Sequence, residues 1–243
     1  MKTKTEYRTL LLICFLIRFF MPFSSLEAQS YQDASLDSPL EADIDQYIKQ
    51  LRESQTLAPT DRTSFVVYDI SNRKKIVSIN EDHPRIAASL IKVFVMLAYF
   101  HQVEQGAISH TELNRSHLRR MIQVSSNPST NYFIKLLGGA SNVNRILHKN
   151  YPDFEQTQIV EYIPEGGRTY RNTTSAKDLT TFYTELGFDR LPYTSEMKHY
   201  LGLPNRDRIA TDTFIPAVKV YDKTGTVYSM VGDSGILLID AKL

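Results

Sequence analysis

Cysteine is almost missing from this chain of 243 residues, and Cys14 is the single example. It sits in the apolar run TLLLICFLI, where the preceding Ile13 is too large for a lipid-attachment site. Beyond residue 28 there is no thiol, which excludes disulfides and thiol catalysis there and leaves packing as the source of stability. Excess charge is missing too: 28 Lys and Arg stand against 27 Asp and Glu, a formal net charge of +1. That balance excludes a general electrostatic grip on nucleic acid, and the basic cluster RSHLRR (115–120) reads as a solvated helix face. The six histidines (His83, His101, His110, His117, His148 and His199) form no His-x-x-x-His or His-Glu pattern, and there is no glycine-rich phosphate loop. No metal site and no cofactor are therefore expected.

An uninterrupted membrane-spanning run is also lacking. The N-terminal apolar stretch is broken by Arg18 and Pro22. It follows the short basic leader MKTKTEYR and precedes SSLEAQS, which offers the small residue Ala28. This order predicts a secretory signal over 1–28 cut near Ala28, and an exported, periplasmic or secreted domain over 29–243. A retained N-terminal anchor is the alternative, because Leu26 is a poor residue two before the cut. No stable membrane insertion is expected after cleavage. The full chain is 42% hydrophobic, which suits one domain with a real core.

Residues 29–37 are polar and predict disorder. SPLE (38–41) reads as a capping box, with Ser38 as N-cap and Glu41 reaching back, opening a helix over about 39–54. TSFVVYDI (63–70) and KIVSI (75–79) predict a hairpin. AASLIKVFVMLAYFHQVEQG (87–106) predicts one long, buried helix that Gly106 ends. Shorter helices are expected over 111–124, 129–137, 142–149, 175–186 and about 194–202. Residues 150–172 lack periodicity and read as one long loop, a length that is usually functional or disordered. AVKVYDKTG (217–225) and GILLID (235–240) read as strands. Strands at both ends and helices between predict a mixed α/β chain of the α+β kind: one antiparallel sheet built from both chain ends, with helices packed on it.

Three Ser-x-x-Lys matches occur, at Ser71–Lys74, Ser89–Lys92 and Ser195–Lys198. The first lies in a charged turn and the third on a surface-type segment. Ser89 alone begins a buried helix, with Lys92 one turn on and on the same face. A serine hydroxyl needs a base to become nucleophilic, and burial or a second cation can keep a lysine neutral enough to serve. The stretch by itself leaves two readings open, a catalytic pair or a helix with one polar seam. VSSNPSTN adds Ser125 and Asn127 between two helices, where a helix cap is the plainer reading. YDKTGTV adds Lys223, Thr224 and Gly225 on a late strand, where a glycine often lets a ligand or backbone come close.

In this order, the three motifs resemble the penicillin-recognising serine hydrolases, above all class A β-lactamases and their relatives. LLGGASNVNRIL and RNTTSAKDLTTF resemble the family's Gly-Gly turn and the stretch after its active-site loop. The resemblance covers about 40–240 and implies a β-lactamase/transpeptidase-like fold. It implies Ser89 as the acylated nucleophile, Lys92 as general base and Ser125 as proton relay. It also implies Asn127 on the substrate's side-chain amide, Lys223 and Thr224 on its carboxylate, and the N–H groups of Ser89 and Thr226 as oxyanion hole.

The chain departs from that family in four places. The family's Glu-x-x-Leu-Asn motif is missing, and Glu161 is the nearest glutamate to the water-activating position, with Glu165 where the asparagine belongs. Ser125 comes 36 residues after Ser89, a short interval that implies a missing wall of the cleft. The resemblance implies one more strand and a helix after GILLID, without which an open sheet edge is expected. Arg206 and Arg208 are the arginines available for the family's extra carboxylate contact. The expected partner is a small molecule, a β-lactam or a cell-wall peptide, bound by a monomer. Four functions follow: a β-lactamase, a D,D-peptidase, a serine-dependent glutaminase or esterase, or a catalytically weak penicillin- or cell-wall-peptide-binding protein.

Overall fold

The computed structural model describes residues 14–17, 36, 38–204 and 218–239. Its elements are β1 (Cys14–Ile17), α1 (Pro39–Glu53), β2 (Arg62–Asp69), β3 (Lys74–Ile79), β4 (Arg85–Ile86), α2 (Lys92–Glu104), α3 (Glu112–Gln123), α4 (Asn127–Leu136), α5 (Ala140–Asn150), β5 (Thr173–Thr174), α6 (Ala176–Gly187), α7 (Thr194–Leu201), β6 (Val218–Val227) and β7 (Met230–Ile239). The main sheet runs β3-β2-β1-β7-β6 with every neighbouring pair antiparallel. The expected α+β architecture, with a sheet from both chain ends and helices between, is the one observed. β4 and β5 make a second, two-stranded sheet. Among the described residues, no helix is long and apolar enough to cross a membrane.

Several elements differ from the sequence reading. Cys14–Ile17 belongs to the expected leader, yet it lies inside the sheet and pairs with Arg62–Phe65 on one side and Met230–Asp233 on the other. β7 starts at Met230 rather than at 235, because a two-residue turn at Tyr228 and Ser229 joins it directly to β6. The polar stretch Gly232-Asp233-Ser234 hides this start, having little strand propensity. Residues 29–35, Asp37, Arg206 and Arg208 lie outside the described residues.

Ser38 caps α1 as expected and accepts from the Glu41 N–H at 3.0 Å. Glu41 closes no capping box. Its carboxylate accepts from the N–H of Leu36 at 3.0 Å and of Ser78 at 2.6 Å, which ties the helix to β3. The two backbone N–H groups thus claim the carboxylate that a capping box would have turned back on Ser38.

The long apolar stretch is one buried rod in two parts. A 3-10 turn over Ala88–Ile91 leads into α2, and every residue from Lys92 to Phe100 is fully buried. Phe94 packs on Phe154 and Phe182 at ring-centroid distances of 5.1 and 5.8 Å, linking α2 to the long loop and to α6. Burial of each such side chain contributes about 1.5–3 kcal/mol. The rod thereby fixes whatever stands on its first turn, which is the pair Ser89 and Lys92.

Residues 151–172 hold no regular helix, but their backbone is not left unpaired. Asn144 bonds both the N–H and the C=O of Ile159, at 2.8 and 2.9 Å. Asn131, on α4, does the same for Ile163 at 2.7 and 2.8 Å. Asn172 accepts from the N–H of Val160 and of Glu161, at 2.8 and 3.1 Å. Side-chain amides thus supply the bonds that a helix or sheet ladder would otherwise provide.

Candidate active site

The other two Ser-x-x-Lys matches fall where chance matches should. Ser71 is exposed in the β2–β3 turn and Lys74 is exposed at the first residue of β3, and Lys198 pairs with Asp189 at 2.6 Å on the surface. Ser89 and Lys92 instead stand at the head of the buried rod. Ala88, just before the nucleophile candidate, has a φ of +44°, a left-handed conformation that costs a non-glycine residue energy. Ser125 shares this feature, with a φ of +54°. Strain at both hydroxyl-bearing turns is held by the packed helices around them.

Lys92 gathers the site. Its Nζ lies 3.0 Å from Ser89 Oγ, 2.9 Å from Ser125 Oγ, 2.6 Å from the Ser125 carbonyl oxygen and 2.9 Å from Asn127 Oδ1. Two of these four partners are oxygens that can only accept, the Ser125 carbonyl and the Asn127 amide oxygen. A neutral amine has two N–H bonds and one lone pair. With both N–H bonds given to those oxygens, the lone pair is left for a hydroxyl. Burial first, and the nearby Lys223 ammonium second, lower the Lys92 pKa to about 6, so the neutral form prevails at pH 7.

The α3–α4 junction delivers Ser125 and Asn127 because Ser126 caps α4, accepting from the Ser129 N–H at 3.3 Å. The cap of the plainer reading is therefore Ser126, which leaves its two neighbours to face Lys92.

Strand β6 closes the opposite side. Lys223 is buried, and its Nζ donates to the Thr224 carbonyl at 2.9 Å. Thr224 is half-buried and Thr226 exposed. Gly225 is where the strand touches the turn that carries Ser89. A Cβ there would stand 2.9 Å from Leu90 Cγ and 3.2 Å from the Ser89 nitrogen. Only glycine permits this approach, which lays the backbone of β6 alongside the Ser89 N–H.

A family model described as the beta-lactamase enzyme family matches residues 43–115 and 114–242. The chain belongs to the beta-lactamase enzyme family. Three solved structures show the same fold. PBP-A is 20% identical, with a TM-score of 0.63 over 81% of this chain and 87% of its own. An ancestral class A β-lactamase is 18% identical, with a TM-score of 0.63 over 84% and 92%. A β-lactamase from Chitinophaga pinensis is 13% identical, with a TM-score of 0.64 over 81% and 90%. No curated protein matches the chain.

The structure brings Ser89, Lys92, Ser125 and Asn127 into one hydrogen-bonded group and sets Lys223 and Gly225 beside it. Glu161 stands apart. Its Oε1 accepts from the Thr169 hydroxyl at 2.9 Å and from the N–H groups of Tyr170 and Arg171 at 3.1 and 3.2 Å. Among the described residues its carboxylate partners all belong to the loop, and none is Ser89, Lys92 or Ser125. Glu165 is exposed at the loop's tip. Sequence reasoning missed Asn131 and Gly167. A Cβ on Gly167, whose φ is +72°, would stand 3.0 Å from Asn127 Nδ2, so the loop seats directly on the site. An asparagine inside a helix, as at Asn131, was the available signal, since the residue favours caps and turns.

Proposed function

We propose that the chain is a serine acyl hydrolase of the class A β-lactamase type, which opens a β-lactam amide through an acyl-Ser89 intermediate. The observation that carries this reading is the Lys92 amine, 3.0 Å from Ser89 Oγ with its pKa lowered to about 6. Neutral Lys92 takes the Ser89 proton as Oγ attacks the lactam carbonyl. The N–H groups of Ser89 and Thr226 receive the oxyanion. Ser125 hands a proton to the departing nitrogen and takes one from Lys92, 2.9 Å away, as the C–N bond breaks and an ester on Ser89 remains. Asn127 holds the substrate's side-chain amide, while Lys223 and Thr224 hold its carboxylate. Water then cleaves the ester. No cofactor enters, the protein works as an exported monomer, and the substrate is a small molecule. A PBP-A variant, 19% identical to this chain, was solved as an acyl-enzyme complex with penicillin G, which supports a β-lactam as the acylating group.

A second reading is a D,D-peptidase or penicillin-binding protein that acts on cell-wall peptides. It is favoured by the position of Glu161, whose carboxylate is engaged by its own loop. Incubation with a fluorescent penicillin separates the two. Label that forms on Ser89 and is released with hydrolysed product supports the β-lactamase. Label that persists supports the peptidase or binder. The absence of label on the native protein, with Ser89→Ala as blank, sinks both.

A further inference from the structure

We propose that Glu161 is a positioning residue, which latches the 160–172 loop so that Gly167 seats against Asn127 and holds the substrate-facing amide in place. This rests on the acylation reading above and assigns Glu161 a different task from water activation.

Glu161 Oε1 collects three donors that lie eight to ten residues further on: the Thr169 hydroxyl and the N–H groups of Tyr170 and Arg171. The Arg171 guanidinium adds an ion pair to Oε2 at 4.0 Å. The segment between is thereby drawn into a closed loop with its ends joined. Asn131 fixes Ile163 just inside the closure, and Asn172 fixes the backbone of Val160 and Glu161 at its start. What remains to be placed is the tip, Glu165–Gly167, and it ends against Asn127. Asn127 in turn bonds Lys92 at 2.9 Å. A general base must reach the water it activates. Both Glu161 oxygens are instead turned to groups of their own loop, Oε1 to three donors and Oε2 to the Arg171 guanidinium.

The test compares Glu161→Gln with Glu161→Ala in the otherwise intact chain. Glutamine retains one carbonyl oxygen able to accept from the same donors, whereas alanine retains none. Acylation by a fluorescent penicillin and release of label from isolated acyl-enzyme are measured separately. The latch predicts that Glu161→Ala slows second-order acylation by about tenfold or more while Glu161→Gln stays within about threefold, since small misplacements at a reacting site are costly. It also predicts the same release rate in Glu161→Gln as in wild type. A fall in that release rate by about tenfold or more, toward the roughly hundredfold or larger loss that removal of a general base brings, overturns the proposal. So does wild-type acylation by Glu161→Ala.

Tryptic cleavage after the exposed residues Arg168 and Arg171 gives a readout that needs no substrate. Faster cutting of Glu161→Ala, with wild-type protection in Glu161→Gln, supports the latch even if wild type takes no label and the functional reading fails. Equal protection in all three overturns it. Should Glu161→Ala not fold, Thr169→Val, which removes one of the three donors, is judged by the same two outcomes.

Discussion

Lys223 lies close enough to Lys92 for its charge to bear on it, and it is the second cause, after burial, of the low Lys92 pKa of about 6. Both side chains are almost wholly inaccessible, at 1% and 0% exposure. Two buried lysines facing one site cannot both carry a proton cheaply. The arrangement separates their roles, with the charge on the strand and the lone pair on the helix.

The first expectation is a pH profile. In the proposed reaction acylation of Ser89 requires neutral Lys92, so its second-order rate constant is expected to rise with pH through about 6 and level off above it. Stopped-flow acylation between about pH 4.5 and 8.5 checks this. A profile flat across pH 6 removes Lys92 from the role of base.

The same amine affects stability. The folded state holds it neutral down to about 6, whereas an unfolded lysine keeps its proton up to 10.5. The unfolded state therefore binds more protons across that window, and stability rises with pH through it. Below about 6 both states are protonated and this contribution to the slope vanishes. Lys92→Met abolishes acylation, removes that slope and raises stability at pH 7 by on the order of a few kcal/mol. Urea unfolding at about pH 6 and about pH 8.5 measures both effects.

Gly225→Ala places a methyl 2.9 Å from Leu90 Cγ and 3.2 Å from the Ser89 nitrogen. β6 must retreat by a few tenths of an ångström or more. Because the proposed oxyanion donors, the N–H groups of Ser89 and Thr226, flank that contact, acylation is expected to fall by about tenfold to a hundredfold. Thermal melting shows whether the fold survives, and unchanged acylation would refute the close-contact account.

Phe94→Ala tests the rod beneath the site. It deletes a fully buried ring that touches Phe154 and Phe182 and costs about 3–5 kcal/mol. Chemical denaturation gives the value directly, and a loss below about 1 kcal/mol would mean that the surroundings collapse into the gap.

Much of the site was legible because its parts are local. Ser89 and Lys92 are one helical turn apart, Ser125 and Asn127 two residues apart, and Lys223 to Thr226 consecutive. Their companionship came only from resemblance to a family, since nothing in the spacing says that residue 92 meets residue 125. The loop was opaque for a related reason. Asn131, Asn144 and Asn172 bond backbone groups 32, 15 and 11 or 12 residues away, and no periodicity announces such pairs. Glu161 stands out in the sequence by its distance from RNTT, a count that takes no account of where its carboxylate points. Ala88, with its positive φ, carries no sequence signal at all, because packing imposes the conformation.

The anchoring of the long loop bears on how the protein can diversify. Asn131 holds Ile163, Glu161 holds Thr169 through Arg171, and Pro164–Arg168 lies between two fixed posts. Gly167 is the fixed point of that stretch, since its carbonyl accepts from the Thr169 N–H at 2.9 Å and a Cβ there would stand 3.0 Å from Asn127 Nδ2. Pro164 and Glu165 are exposed, so their identity can drift without disturbing the helix that carries Ser89 and Lys92. Libraries confined to Pro164 and Glu165 should therefore yield folded variants at high frequency, whereas those that vary Gly167 should lose acylation. Libraries that include Asn131 or Glu161 should lose most of their members.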